Sequence, residues 1–99
     1  MYHEIWYIMS MAINRVLITK KAKKGLSKLP SKIRDKFFIL AEQLSEDGPV
    51  CHNWSNYSKL SKNEYHCHLS YSWVACWTFE EETITIEVYY VGSRENAPY

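Results

Sequence analysis

The stretch EYHCHLSY at 64–71 sets His66 and His68 two positions apart. In an extended chain, residues i and i+2 share a face, with Cα atoms about 6.5–7 Å apart. Imidazole titrates near neutrality, so such a pair can hold one neutral and one charged ring. A general base and a general acid need that combination, and a phosphodiester fits between them. Arg94, in VGSRENAPY, supplies a permanent cation able to neutralise charge developing on a phosphorane. Tyr99, five residues on, either orients a base or ribose or packs against a sheet. These four are the candidate catalytic residues.

Zinc binding is the competing chemistry, since His66 and His68 with Cys51 or His52 would make three ligands. No C-x-x-C spacing supports it, and neither metal nor cofactor is expected. Trp54, Tyr57 and Trp73 serve either as core or loop anchors or as platforms for base stacking. Three cysteines, an odd number, suit a reducing cytosol better than a disulfide framework. Cys67 and Cys76 fall in strand-like runs and read as small buried hydrophobes.

The elements that must hold these residues follow from periodicity. INRVLIT at 13–19 alternates and is rich in β-branched residues, which predicts a strand. Thr19 can cap a short helix in which Ala22, Leu26 and Leu29 recur at helical spacing before Pro30. Ser31 is the expected cap of a second helix carrying Ile33, Phe37, Leu40 and Leu44, ended by Gly48 and Pro49. A loop at 50–63 leads through a short strand near 57–60 into EYHCHLS, SWVACWTF and TITIEVYYV, joined by brief polar connections that favour antiparallel neighbours. The expected fold is α+β: an N-terminal strand, a two-helix hairpin, then an antiparallel meander, with helices on one face of an approximately four-stranded sheet. Ile84, Ile86, Val88 and Tyr90 should face the helices. Thr83, Thr85, Glu87, Tyr89 and Val91 should share the other face with the histidines. That face is expected to be an open groove containing both imidazoles and Arg94.

The chain has 99 residues, 46% of them apolar and 15% aromatic, enough for one domain without a staple. A disordered or repetitive chain is excluded. Segment 15–36 carries nine Lys/Arg against Asp35 alone, whereas 37–99 carries three against nine acids. Such a basic block attracts phosphate backbones or an acidic partner, or is simply a solvated helix face. MYHEIWYIMSMAI is too short to span a bilayer and lacks the basic start and cleavage site of a signal peptide. Residues 1–12 are expected to be an extension, with the folded unit at 13–99 and a cytoplasmic, membrane-free location.

Taken in order, the strand, the helix start KKAKKGLSKLP and a meander ending VGSRENAPY resemble the RelE/ParE superfamily of toxins from toxin–antitoxin systems. The blocks GPVCHNWSNYSKLSKNEYHCHLS and EVYYVGSRENAPY look like its RelE-like branch of cytotoxic translational repressors. The resemblance implies an endoribonuclease that cuts mRNA on the ribosome without a metal and is held inactive by a co-encoded antitoxin with a helix-turn-helix domain. It places His66 and His68 where the archetype has two lysines, and matches Arg94 and Tyr99 to a catalytic arginine and a terminal tyrosine. Lys59 of KLSK falls where family members present a basic residue near the RNA backbone, and Lys62, Trp54 and Tyr57 are the further candidates for holding RNA. Val74 stands where many members have an arginine. Two alternatives remain within the fold: a ParE-type inhibitor of DNA gyrase, and a relative that binds its antitoxin but cleaves nothing.

Overall fold

The computed structural model describes residues 5–9 as backbone and residues 14–99 in full. The elements are β1 (Ile5–Met9), β2 (Arg15–Thr19), α1 (Lys20–Ser27), α2 (Ser31–Asp47), β3 (Ser58–Lys59), β4 (Glu64–His68), β5 (Trp73–Glu80) and β6 (Thr85–Ser93). Six strands form one sheet in the order β1-β2-β6-β5-β4-β3. Among the described residues, only β2 and β6 pair in parallel. Parallel neighbours need a long crossover, and the two helices lie within it, covering one face.

The α+β class and the one-sided helical cover match the sequence expectation. The strand count does not, because β1 and the two-residue β3 extend the sheet at both edges. β1 falls within the segment expected to be an extension and pairs with β2. Ile13, the expected first residue of the folded unit, lies outside the described residues, as do 1–4 and 10–12.

Thr19 Oγ1 accepts the Ala22 N–H at 3.1 Å and so starts α1. The start of α2 corrects the expectation for Ser31. Pro30 takes the cap position, and its carbonyl accepts the N–H groups of Ile33 and Arg34 at 3.0 and 2.9 Å. A residue without an N–H leaves no donor unsatisfied there. α2 ends at Gly48, whose φ of 95° disfavours a Cβ, with its N–H bonded to Leu44 O at 3.0 Å.

Between helices and sheet, Phe37, Leu40 and Leu44 of α2 pack with Val16 and Ile18, Trp77, Ile86 and Val88, all without solvent exposure. Burial of side chains this large contributes about 1.5–3 kcal/mol each. Trp77 keeps its one polar atom satisfied by donating Nε1–H to the Pro49 carbonyl at 3.0 Å.

Two residues of the last strand depart from the alternation read in the sequence. Cys76 pairs with Tyr90 but Trp77 pairs with Val88, so Tyr89 is an extra residue in β6. This bulge reverses the pleat beyond it. Val91 therefore enters the core, 2% exposed, while Tyr90 turns to the face expected for Val91. Ile84 precedes the strand in a turn at φ 51° and is 45% exposed, not packed on the helices.

Candidate active site

On the face away from the helices, neighbouring strands line up their side chains in rows. His66 stands opposite Cys76, which stands opposite Tyr90; His68 stands opposite Val74, which stands opposite Gly92. Alternation along β4 sends Tyr65 and Cys67 into the core and both histidines out, as the spacing predicts. The ring centroids are 5.8 Å apart. Val74 and Cys76 form a fully buried floor beneath them.

The site is not the open groove expected. His66 is 7% exposed and His68 8%. The Tyr99 ring lies 4.3 Å from that of His66, which brings the tyrosine over this histidine. On the other side, Ser58 Oγ is 3.1 Å from His66 Nδ1, and Asn56 Nδ2 is 3.4 Å from His68 Nδ1. An amide nitrogen only donates, so His68 Nδ1 accepts and the neutral ring carries its proton on Nε2.

These surroundings lower both imidazoles below the usual histidine range. For His66 the main cause is burial, then the charge of His68, with the Ser58 contact opposing. For His68 it is burial and then the Arg94 guanidinium. Burial raises the Tyr99 phenol, against the pull of Arg94. The Cys76 thiol is pushed up to about 12, first by burial, which makes it an inert part of the floor.

Arg94 is exposed, with its guanidinium 4.6 Å over the Tyr71 ring and its backbone N–H bonded to Ser72 O at 2.8 Å. The four candidate catalytic residues thus share one region, since the charge of Arg94 acts on both His68 and Tyr99.

The four residues expected to hold RNA divide differently. Lys59 pairs with Tyr65 and its Nζ lies 5.6 Å from that ring, on the helix side and away from the imidazoles, because Ser58 and not Lys59 shares their face. Tyr57 stacks on Trp77 and Tyr65, both at 6.4 Å, which anchors it to the core. Trp54 donates Nε1–H to Gln43 on α2 at 2.9 Å, and borders a 330 Å³ cavity that also reaches His68. Lys62 is exposed in the turn before β4.

The three-ligand zinc arrangement does not assemble. Cys51 belongs to the core on the far side of the sheet, and His52 packs against Tyr57 at 5.1 Å. Among the described residues no three His, Cys, Asp or Glu side chains converge. No described helix is long and apolar enough to cross a membrane.

Ser58, Asn56, Tyr71 and Tyr90 are site residues that the sequence did not single out. Asn56 sits at φ 52°, a conformation asparagine tolerates better than most residues.

Sequence comparison finds no matching family model and no matching curated protein. Likeness lies in the fold. The archaeal RelE–RelB complex from Pyrococcus horikoshii OT3 includes a chain with TM-score 0.68 and 17% identity, covering 85% of this chain and 98% of that one. A toxin–antitoxin complex from Mycobacterium tuberculosis gives 0.62 and 19%, covering 80% and 95%. The isolated E. coli RelE toxin gives 0.62 and 21%, covering 84% and 86%. The chain has the RelE-like toxin fold.

Proposed function

We propose that this chain is the toxin of a toxin–antitoxin pair and cleaves mRNA as an endoribonuclease, acting on the ribosome. The single observation that carries this reading is the His66–His68 pair, 5.8 Å apart on the helix-free face and within the field of Arg94. The fold likeness to RelE toxins supports it.

One neutral imidazole takes the proton of a ribose 2′-hydroxyl as that oxygen attacks the adjacent phosphorus. The other, protonated, gives its proton to the departing 5′-oxygen. The products are a 2′,3′-cyclic phosphate and a 5′-hydroxyl, with no net change in protons. Arg94 offsets the charge on the phosphorane. Tyr99, whose ring now lies tilted against that of His66, gives up that place to the substrate base when RNA enters. The partner that silences the toxin is an antitoxin, in keeping with the complexes that share this fold.

The test is end-mapping of mRNA in a translating extract given wild type or the His66→Ala/His68→Ala double variant. Wild type should leave 5′-hydroxyl ends and the double variant should lose at least a hundredfold in rate, the scale of acid–base catalysis. Equal cleavage by both sinks the proposal. A second reading, a relative that binds an antitoxin and cuts nothing, is favoured by one observation. Apolar, buried Val74 lies directly beside His68 where a cation would serve. Absence of cleavage by wild type, with tight antitoxin binding, would establish that reading instead.

A further inference from the structure

We infer that a basic cavity between α1 and the end of β6 is a subsite for the phosphodiester backbone of the same single-stranded RNA, beyond the scissile phosphate. The inference rests on the nuclease reading above and names how its substrate is held. The cavity has a volume of about 470 Å³ and is lined by Lys21 and Lys24 of α1 and by Lys28, which caps the helix C-terminus, with Trp73, Tyr90 and Asn96.

The three lysines fall at i, i+3 and i+7, one stripe of the helix about 10 Å long. All are exposed, none forms an ion pair among the described residues, and no acidic side chain lines the cavity. The stripe is held at the sheet because Gly25 lies against the Val91 carbonyl, where any side chain would collide.

Continuity with the imidazoles comes through Tyr90. The bulge puts it in the row of His66 and Cys76, two strands from His66, or about 9–10 Å across the sheet. A strand whose phosphate lies between the imidazoles can therefore cross β5 and β6 and bring its next phosphates to the lysines. Tyr90 offers a ring to its bases on the way, and Trp73, packed against the core, lines the cavity from the helix side. Aromatic rings among lysines, in line with an acid–base pair, fit a polynucleotide better than an acidic peptide.

The probe is a single-stranded DNA oligonucleotide, which lacks the 2′-hydroxyl and is not cut. Its affinity would be measured by fluorescence anisotropy against salt concentration. The variant Lys21→Gln/Lys24→Gln/Lys28→Gln is compared with Lys20→Gln/Lys23→Gln/Lys32→Gln, which removes the same charge elsewhere. The first should weaken binding at least tenfold and lower the salt slope by about 1.4, for about two phosphates at about 0.7 each. The second should change affinity less than threefold. Equal weakening by the two variants, or displacement of the oligonucleotide by polyglutamate, would overturn the subsite. If wild type cuts RNA while the first variant binds normally, the subsite is wrong and the nuclease reading stands. If wild type cuts nothing but the first variant alone loses binding, the reverse holds.

Discussion

Gly25→Ala sets two physical effects against each other with opposite signs. In the middle of an exposed helix, alanine gains about 1 kcal/mol over glycine. Here an ideal Cβ would stand 1.7 Å from the Val91 carbonyl oxygen and 2.9 Å from its carbon, where ordinary contact begins at 3.4 Å. Both atoms are backbone in the middle of a paired sheet, so α1 must lift by roughly 1.5 Å. A gap of half to one ångström already forfeits a quarter to a half of the dispersion energy, and Ala22 and Leu26, 0% and 3% exposed, lie on the face that lifts. Overpacking of this kind costs about 3 kcal/mol. After the propensity gain, the variant should be less stable by about 2 kcal/mol, or about 8–16 °C in Tm for a domain of this size. Urea and thermal melts followed by circular dichroism measure it. A variant as stable as wild type, or more so, would show that α1 does not ride directly on β6.

Three further outcomes are expected. Ile84 is a β-branched residue at φ 51° and half exposed, so Ile84→Gly should relieve strain at little cost in burial and raise stability by about 1 kcal/mol; an unchanged or lower Tm contradicts that strain. Because both imidazoles are lowered, the form with one proton on the pair is most populated below the usual histidine pKa. The optimum of kcat/KM for RNA cleavage should therefore lie on the acid side of about pH 6.5, and an optimum above pH 7 opposes it. Tyr99→Ala removes a ring that covers His66 and should raise the His66 pKa in an NMR titration, since burial is the main cause of its lowering; an unmoved titration shows the cover lies elsewhere.

Both helices and the sidedness of the histidines were legible in the sequence, for the same reason. The α2 stripe and the alternation in EYHCHLS are local periodicities, and each needs only its own segment to be right. The parallel pairing of β2 with β6 was not legible, because it joins segments 70 positions apart. The near-complete burial of His66 and His68 also escaped. It depends on Tyr99, Ser58 and Asn56 arriving from two other parts of the chain, and none of them carries a pattern that announces it. Lys59 was misplaced by one residue of register: in a two-residue strand its neighbour Ser58, not Lys59, shares the face of the imidazoles.

The bulge at Tyr89 explains why core and candidate site are inseparable here. Strict alternation along TITIEVYYV would bury the Tyr90 ring under α1 and leave Val91 outside. A phenol that large could not lie where Gly25 meets the strand with no room even for a methyl group. One extra residue in β6 puts Val91 at that contact instead and returns Tyr90 to the row of His66. Gly92 is then held next to the Tyr90 ring, where a Cβ would stand 2.8 Å from its hydroxyl, and that hydroxyl donates to Ser93 O at 2.7 Å. The same strand segment thus seats the lysine helix with one residue and aims an aromatic ring across the imidazole face with the one before it. Any change that removes the extra residue should lose both at once.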